Sequence, residues 1–194
     1  QLGGNFGPPA LNLKPAFQND TIILELSSYQ LDLTQDAIFD IAVLLNVTPD
    51  HLDRHGSMSA YFAAKKQIFR NAASKKQLAI IGVDDSYGHQ VWTELNTEKN
   101  WTVIPVSTER QVEQGVYVLE SILHDKEKNQ VDLSSINTLK GSHNWQNAAA
   151  AWAVLKEFKI PDEKIERFFN TFRGLPHRLE TIGECRGIRY INDS

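Results

Sequence analysis

The sequence predicts an α/β fold: a mostly parallel, doubly wound sheet with helices on both faces, plus a small antiparallel sheet. The first observation is a set of short, continuous apolar runs, which are typical of parallel strands buried on both faces. The second is that helical stretches separate such runs along the chain. The third is a change of pattern after Gly115, where shorter runs flank a polar turn and indicate antiparallel strands.

The parallel strands are predicted from four runs rich in aliphatic and β-branched residues. These runs are TIILELS (21–27), part of IFDIAVLLNV (38–47), QLAIIGVDD (77–85) and WTVIPVS (101–107). The antiparallel strands are predicted from GVYVLES and VDLSS, on either side of HDKEKNQ, and IRYIND forms a closing strand. Together these elements predict one domain that spans residues 1–194.

Three helices are predicted from their composition and their start signals. YFAAKKQIF (61–69) follows Ser57 and Ser59, either of which can cap its start. The alanine-rich segment WQNAAAAWAVLKEF follows Asn144, and PDEKIERFFNTF carries Pro161 at its start, where proline is favoured. Helices of this kind would cover the faces of the sheet.

Two adjacent lysines take different positions on the first of these helices. At about 100° per residue, Lys65 falls at the centre of the apolar face and Lys66 falls at its edge. The other residues of that face are Tyr61, Phe62, Ile68, Phe69 and Ala72. A lysine in this place is a local conflict, and such conflicts are expected at functional sites. The alternative is that the stem of Lys65 is buried while its ammonium reaches water.

Composition argues against several classes of protein. A net charge of −4 and a pI near 5.9 argue against binding to nucleic acid. The single cysteine cannot form an internal disulfide, which favours a reducing, cytoplasmic setting. No apolar run approaches the roughly 18 residues that span a bilayer, so no membrane location is expected. The chain does not begin with Met, and we interpret it as an excised segment of a longer, monomeric protein.

Carboxylates follow three predicted strands at their carboxyl ends, the edge where ligands collect in parallel sheets. Glu25 ends the first strand, Asp50 and His51 follow the second, and Asp193 follows the last. Such a set beside a lysine-bearing helix suits Mg²⁺, which prefers oxygen ligands together with substrate phosphates. Histidine is a less usual ligand for this ion. The structural alternatives are a strand margin for Glu25, turns or caps for the aspartates and a backbone hydrogen bond for His51.

The phosphate-binding loop G-x-x-x-x-G-K-[ST] is absent from the sequence, but two other segments suit a polar or anionic ligand. Asn144 and Asn147 lie in the first turn of a predicted helix, where free backbone amides favour anions. Arg178, in GLPHRLE, has the planar fork that binds phosphate oxygens. An ordinary surface arginine is the alternative for Arg178.

Five stretches together resemble the Mur ligases, the ATP-dependent amino-acid ligases of peptidoglycan precursor synthesis. They are GGNFGPPAL, LELSSYQL, NVTPDHLDRHGSMSAYFAAK, GSHNWQNAAAA and GLPHRLE with INDS, and they extend from Gly3 to Ser194. Within the family, LELSSYQL, GGNFGPPAL and GLPHRLE look most like the branch that adds D-glutamate to UDP-N-acetylmuramoyl-L-alanine. The resemblance implies the P-loop-type central, ATP-binding domain, here without the P-loop segment and without the two outer domains.

The resemblance also implies a metal site. Glu25 and His51 match the family's Mg²⁺ positions, and Lys65 matches a lysine that the family carries as a carbamate. A lysine is ordinarily a cation, which Mg²⁺ would repel. Its carbamate is an anion with two oxygens, which suits the ion. The resemblance therefore predicts that Glu25, His51 and carbamylated Lys65 are both metal-binding and catalytic.

Two further groups of residues match substrate-binding positions of the family. The positions that contact ATP are matched by Asn144, Asn147, Arg178 and Asp193, with Arg178 on phosphate and Asp193 towards the ribose. The positions near the muramoyl substrate are matched by Asn5, Ser27 and Gln30, and Asp50 matches a position near the incoming amino acid.

The implied reaction has two steps, an ATP-dependent phosphorylation of a carboxylate and the attack of the D-glutamate amine on the resulting acyl phosphate. The alternatives are the central domain of another Mur ligase, a relative of folylpolyglutamate synthase, or an inert nucleotide-binding module. We expect no turnover from residues 1–194 alone, since the phosphate loop is not among them.

Overall fold

The computed structural model describes residues 1–72, 75–127, 129–178 and 180–193 of the chain. Leu179 of GLPHRLE and Ser194 of INDS therefore lie outside the described residues. The chain divides into two compact units. The first unit comprises Gln1–Asp40 with Thr48–Lys75, and the second comprises Ile41–Val47 with Lys76–Ser194. The single domain expected for residues 1–194 stays a prediction.

The strands and helices follow one another in an order typical of α/β proteins. The strands are β1 (Leu2–Gly4), β2 (Ile23–Glu25), β3 (Ile41–Leu44), β4 (Gln77–Gly82), β5 (Trp101–Ser107), β6 (Val116–Leu119), β7 (Ile122–His124), β8 (Gln130–Asp132), β9 (Glu180–Cys185) and β10 (Ile188–Asn192). The helices are α1 (Ser28–Leu33), α2 (Leu52–His55), α3 (Met58–Lys66), α4 (Ser86–Leu95), α5 (Ser142–Glu157) and α6 (Asp162–Thr171). Short 3₁₀ turns cover Ala10–Asn12, Gln67–Phe69 and Asn137–Leu139.

The first unit contains a two-stranded parallel sheet, in which β1 pairs with β2. Gly4 lies opposite Glu25, and a Cβ at Gly4 would come within 2.2 Å of the Glu25 carbonyl oxygen. Its φ of 112° is also one that L-residues rarely adopt, so glycine is required there. The prediction that residues 21–27 form a buried strand is wrong in burial, since Ile23 is 60% exposed. The reason is that β2 pairs within this small sheet and not within the large one.

The lysine-bearing helix α3 has its predicted start but not its predicted end. The Ser57 side chain accepts a hydrogen bond from the Ala60 amide, which is one of the two predicted caps. The α-helix ends at Lys66 and tightens into a 3₁₀ turn, whereas the sequence predicts a helix over 61–69. Lys65 and Lys66 are both half-buried, so burial does not separate them as the helical angles predict. The 3₁₀ turn changes the angular positions of Ile68 and Phe69, two of the residues that define the predicted apolar face.

The second unit is built on a six-stranded sheet with the order β3-β4-β5-β6-β7-β8. The strands from β3 to β6 run parallel, and those from β6 to β8 run antiparallel. The predicted α/β class with a mostly parallel sheet is therefore confirmed. The predicted antiparallel strands continue the parallel sheet, because Val106 of β5 pairs with Val116 of β6. A separate antiparallel hairpin joins β9 to β10, and the sequence predicts only the second of these strands.

The hydrophobic core of the second unit lies between the sheet and the helices α5 and α6. Ile80 of β4, Trp152 of α5 and Ile165 of α6 belong to this core and are fully buried. Ile81 points to the opposite face of β4 and is equally buried, as predicted for a parallel strand covered on both faces. Helix α4 also packs against β4 and β5. Among the described residues, no helix has the length and apolar character needed to cross a bilayer.

Asp125 fixes the turn between β7 and β8 to helix α5. Its carboxylate accepts hydrogen bonds from the Trp152 indole at 3.1 Å, the Asn129 side chain at 3.0 Å and the Glu127 amide at 2.8 Å. Burial opposes the charged form, but these hydrogen bonds outweigh it and hold the pKa of Asp125 below its ordinary value. Because Trp152 is fully buried, its indole N–H depends on this carboxylate for a partner.

Candidate functional site

A cavity of about 770 Å³ in the second unit gathers residues that are far apart in the sequence. Its walls come from the start of α5, the end of α6, the segment that follows α6 and the residue after β10. The polar or charged lining residues include His143, Asn144, Asn147, Arg178 and Asp193. The apolar ones include Leu139, Ala148, Phe168, Phe172 and Leu175. A cavity of this size with a mixed lining is typical of small-molecule sites.

All four residues that the sequence predicts to contact a nucleotide line this one cavity. Asn144 and Asn147 belong to α5, Arg178 to the segment after α6, and Asp193 to the end of the closing hairpin. The structure therefore brings together three segments that the sequence predicts separately. Their roles toward a ligand stay predictions.

The start of α5 presents its two asparagines to the cavity. Gly141 precedes the helix with a φ of 94°, and its carbonyl accepts the Trp145 amide at 3.0 Å. The Asn144 side-chain amide donates to the Lys140 carbonyl at 2.9 Å, which leaves its carbonyl oxygen and its second N–H to offer to a ligand. Asn147 lies three residues further, on the same side of the helix, and is exposed.

The segment that carries Arg178 is hydrogen-bonded to the β9–β10 hairpin. The Asn192 side-chain amide and His177 Nδ1 share a hydrogen bond of 2.8 Å, and the His177 amide donates to the Glu180 carboxylate at 2.9 Å. His177 itself has a left-handed φ of 62°. Because Asn192 directly precedes Asp193, these contacts hold Arg178 and Asp193 at the same cavity.

The apolar wall of the cavity was not predicted from the sequence. Phe168 and Phe172 are 49% and 42% exposed, whereas Phe169 is 7% exposed and belongs to the core. Phe168 lies in the last turn of α6 and Phe172 directly follows the helix, and two exposed aromatic side chains of this kind can pack against a planar ligand. The signal was present in PDEKIERFFNTF, where two adjacent Phe cannot both point into the core from one helix.

In the first unit, two of the predicted metal-site residues lie beside one tyrosine. The ring centroids of His51 and Tyr61 are 6.4 Å apart, and Lys65 Nζ lies 5.2 Å from the Tyr61 centroid. His51 also packs against Tyr29, with the ring centroids 4.9 Å apart. Tyr61 is buried, while His51 is exposed and Lys65 half-buried. The structure therefore brings His51 and Lys65 into one neighbourhood.

Asp50 and the backbone of His51 form a tight corner before α2. His51 has a left-handed φ of 52°, an uncommon conformation for a non-glycine residue that is often found at functional positions. Its amide donates to Asp50 Oδ1 at 2.8 Å, and its Nε2 lies 3.3 Å from Asp50 Oδ2. The turn role considered as the alternative for Asp50 is therefore present in the structure.

Glu25 lies exposed at the end of β2, and its backbone carbonyl accepts the Asn5 amide at 2.7 Å. Within residues 1–72, 75–127, 129–178 and 180–193, no three His, Cys, Asp or Glu side chains gather closely enough to hold a metal. The predicted set takes two ligands from these residue types and the third from Lys65. An ammonium has no lone pair, so this set suits Mg²⁺ only when Lys65 carries the carbamate.

Ser27 and Gln30, which the resemblance places near the muramoyl substrate, form the capping box of α1. The Gln30 amide donates to Ser27 Oγ at 3.3 Å, and the Ser27 amide donates to Gln30 Oε1 at 2.9 Å. The two side chains therefore satisfy backbone groups at the start of the helix. The predicted substrate contacts of Asn5, Ser27, Gln30 and Asp50 stay predictions.

Comparison with known sequences links the chain to one group of enzymes. A profile of the Mur ligase middle domain matches residues 8–155. The chain is 42% identical to UDP-N-acetylmuramoylalanine–D-glutamate ligase of Phenylobacterium zucineum and 44% identical to that of Rhodospirillum rubrum, in both cases over 100% of its length. It spans 42% and 41% of the lengths of these two relatives, which is less than half.

Two solved structures of MurF ligases have a fold similar to that of this chain. MurF ligase from Thermotoga maritima in complex with ADP matches 89% of this chain and 40% of its own, at 19% identity and a TM-score of 0.63. MurF from Acinetobacter baumannii matches 89% of this chain and 38% of its own, at 22% identity and a TM-score of 0.63. At these identities the likeness shows the fold alone.

Proposed function

The chain belongs to the Mur ligase family, and on that premise we propose that it is the central ATP-binding domain of a D-glutamate-adding ligase. The substrates in this proposal are ATP, D-glutamate and UDP-N-acetylmuramoyl-L-alanine. Relatives that match the whole chain are D-glutamate ligases by name. The chain spans about 42% of their length, so we assign the activity to a longer protein, a cytoplasmic monomer in peptidoglycan synthesis.

The cavity of the second unit is the single observation that carries this proposal. It offers an aromatic wall from Phe168 and Phe172, and polar groups from Asn144, Arg178 and Asp193. A purine needs a flat apolar surface, a ribose needs acceptors for its hydroxyls, and a polyphosphate needs a cation. These three requirements are met within one cavity of about 770 Å³.

Three polar residues of the cavity have distinct roles in the proposal. Arg178 binds phosphate oxygens through its planar fork of N–H donors. Asp193 accepts hydrogen bonds from the ribose hydroxyls, since a carboxylate is an acceptor-only group. Asn144 offers its side-chain oxygen to an amino group of the base, while one N–H of its amide is bonded to Lys140. Asn147 lines the same wall of α5.

The metal site is proposed in the first unit, on Glu25, His51 and the carbamate of Lys65. A carboxylate, an imidazole and a carbamate leave room for phosphate oxygens and water, which Mg²⁺ retains in phosphoryl-transfer sites. Mg²⁺ bound there would neutralise phosphate charge during the transfer. His51 and Lys65 lie beside the same tyrosine, which favours a shared ligand.

The proposed reaction has two balanced steps. A carboxylate oxygen of UDP-N-acetylmuramoyl-L-alanine bonds to the γ-phosphorus of ATP while the bond to the bridging oxygen breaks, which gives an acyl phosphate and ADP. The D-glutamate amine then attacks the acyl carbon, phosphate leaves, and the amine loses a proton as the amide forms. The protein's task is to align the reactants and to stabilise the transferred charge.

Asn5, Ser27, Gln30 and Asp50 complete the proposal as substrate-side residues. Asn5 directly follows β1, and Ser27 lies two residues after β2. Both carry short polar side chains near the carboxyl ends of these two paired strands. Asp50 supplies a carboxylate, which suits the ammonium of an incoming amino acid. Ser27, Gln30 and Asp50 would contact substrate in addition to the local hydrogen bonds that their side chains make.

An acceptor assay with the full-length ligase tests the proposal. Phosphate release from ATP is measured with UDP-N-acetylmuramoyl-L-alanine and D-glutamate, and with UDP-N-acetylmuramoyl-L-alanyl-D-glutamate and either L-lysine or diaminopimelate. The proposal predicts release with D-glutamate and Mg²⁺, and background release with the other two. Release that depends on L-lysine or diaminopimelate would instead assign the chain to another branch of the family. The isolated 194-residue chain is expected to show no turnover.

A further inference from the structure

Tyr29, His55 and Tyr61 form a connected set of rings in the first unit, which we call the aromatic floor. The His55 ring stacks on Tyr29, with centroids 5.5 Å apart and planes 15° apart, and its centroid lies 5.5 Å from that of Tyr61. His51 contacts the same two tyrosines, at 4.9 Å and 6.4 Å. The floor therefore lies directly against the proposed ligand His51.

The spacing of these residues along the chain brings their side chains together. His51 and His55 are four residues apart at the start and the end of the short helix α2, and the His51 carbonyl accepts the His55 amide at 3.1 Å. Tyr61 and Lys65 are four residues apart on α3, a spacing that places side chains on one face of a helix. Helix α3 also packs against α1, which contains Tyr29.

A partly buried hydrogen bond fixes the orientation of His55. The hydroxyl of Ser28 and Nε2 of His55 share a hydrogen bond of 3.0 Å, and Ser28 is only 3% exposed. A buried hydroxyl strongly favours a state in which it keeps a partner. The bond therefore selects one orientation of the His55 ring, and the ring stack passes that orientation to Tyr29 and Tyr61.

We propose that His55 is a positioning residue for the metal site. Held by Ser28, it sets the aromatic floor, and the floor holds the His51 imidazole and the Lys65 side chain in place. The inference rests on the proposed function, in which His51 and Lys65 bind the metal. In this proposal His55 acts through its ring contacts and is not itself a ligand, and its Nε2 is bonded to Ser28.

His51 needs such support because of where it lies. Its ring is exposed, and its backbone has the left-handed conformation, so neither burial nor a regular helix fixes the side chain. A metal ligand must be held close to its productive geometry, and residues around the ligands usually provide this. Tyr29 and Tyr61 are the rings that His51 contacts, and His55 links them.

Histidine NMR on the 194-residue chain tests the proposal without metal or turnover. The ring resonance of His51, assigned with a His51→Gln variant, reports its orientation through the ring currents of the two tyrosines. Ser28→Ala removes the hydroxyl and keeps a small side chain, and His55→Phe removes Nε2 and keeps an aromatic ring. Each variant therefore lacks the hydrogen bond. Both are expected to shift and broaden the His51 resonance, and the double variant is expected to do no more than either change alone.

His89→Gln is the matched control, because His89 also lies beside an aromatic ring, 5.3 Å from Trp92, but in the second unit. It should leave the His51 resonance unchanged. His55→Gln keeps a side chain that can bond to Ser28 but has no ring to stack on Tyr29, so an intermediate shift of the His51 resonance is expected. This variant also keeps the test valid if the His55→Phe protein does not fold. A His51 resonance that is unchanged in all the folded Ser28 and His55 variants would overturn the positioning role.

A second readout uses the full-length ligase and separates the two proposals. His55→Phe is expected to raise the Mg²⁺ concentration for half-maximal activity about 10- to 100-fold, the usual effect of removing support behind a metal ligand. The KM for ATP should change little. A wild-type ligase without D-glutamate-dependent phosphate release overturns the proposed function, whatever the NMR result. An unchanged Mg²⁺ dependence in an active His55→Phe ligase overturns the positioning role alone.

Discussion

In the second unit, four predicted site residues line one cavity, whereas in the first unit the predicted residues are engaged in short-range contacts with their neighbours. Arg178 and Asp193 reach the cavity through a hairpin and the segment before it. Ser27 and Gln30 cap a helix, and Asp50 holds the turn at His51. The nucleotide-binding part of the proposal therefore rests on a preformed shape, and the metal-binding part rests on a chemical modification.

This difference follows from the kind of ligand that each unit is proposed to bind. A nucleotide needs a large surface, and a packed sheet with the helices α5 and α6 can provide it before the ligand arrives. A Mg²⁺ ion needs a few oxygens, and one of the three proposed ligands, Lys65, becomes suitable only with its carbamate. The predictions below test whether the two units differ in this way.

The largest effect is expected at Lys65. Lys65→Ala in the full-length ligase removes a proposed metal ligand, so kcat should fall about 10²- to 10³-fold, as for the loss of one charge-stabilising group. The neighbouring Lys66→Ala is the matched control, since Lys66 is half-buried like Lys65 and also lies over a ring. Equal losses of activity in the two variants would show that the first unit needs its lysines for packing and not for the metal.

A smaller effect, on ATP affinity, is expected at Arg178. Hydrogen bonds to charged groups contribute about 1.5–3 kcal/mol, so Arg178→Ala should raise the KM for ATP about 10- to 100-fold. Arg173→Ala is the control, because Arg173 is exposed nearby in the same segment but does not line the cavity. If both variants change the KM alike, the cavity does not select the nucleotide, and the contrast between the units fails.

The framework around the cavity should depend on Asp125. Asp125→Ala leaves the buried Trp152 indole without its partner, so the free energy of unfolding should fall by about 1–3 kcal/mol. Thermal or urea unfolding of the 194-residue chain measures this. Asp132→Ala is the control, since Asp132 is exposed in the neighbouring strand and accepts from the Ser134 amide. If the two changes lower the free energy of unfolding equally, burial of the Trp152 contact does not contribute to stability.

The same contact predicts a pH dependence of stability. The pKa of Asp125 is lower in the folded chain than its ordinary value, so its contribution is present above the unfolded pKa, about 3.9, and is lost as pH falls through the folded value. The stability difference between wild type and Asp125→Asn should therefore be constant near pH 7 and shrink below about pH 4. A difference that stays constant down to pH 2 would contradict the assignment.

The smallest effect is expected at Ser27. Ser27→Ala removes the cap of α1 and should lower the free energy of unfolding by about 1 kcal/mol. If Ser27 also contacts the muramoyl substrate, the KM for that substrate rises as well. Ser57→Ala on α3 removes a cap of the same kind without a predicted substrate contact, so it should lower stability alone. A normal KM in Ser27→Ala would leave Ser27 with a structural role only.

The strands of the large sheet could be predicted because short, continuous apolar runs are typical of strands buried on both faces. β5 has its predicted bounds, Trp101–Ser107, and β4 is buried on both faces. The exposed β2 could not be predicted, because its composition matches a buried strand and only its pairing with β1 shows otherwise. Whether a strand is buried thus depends on the strands it pairs with more than on its own residues.

The polar residues of the cavity were predicted from their own sequence positions and from the family resemblance, whereas the shape of the cavity was not predicted. The sequence alone assigned no role to Phe168 and Phe172, and the structure shows that Phe169 is the one that packs inward. The aromatic floor was not predicted either, since the bond between His55 and Ser28 joins residues 27 positions apart. Contacts of this range depend on tertiary packing, which spacing alone does not reveal.

A crystal structure of the full-length ligase with ADP and Mg²⁺ tests the central claim most directly. The account predicts the adenine against Phe168 and Phe172, the ribose at Asp193 and the phosphates at Arg178, all within the cavity of the second unit. ADP bound at any other surface, with this cavity empty, would contradict it.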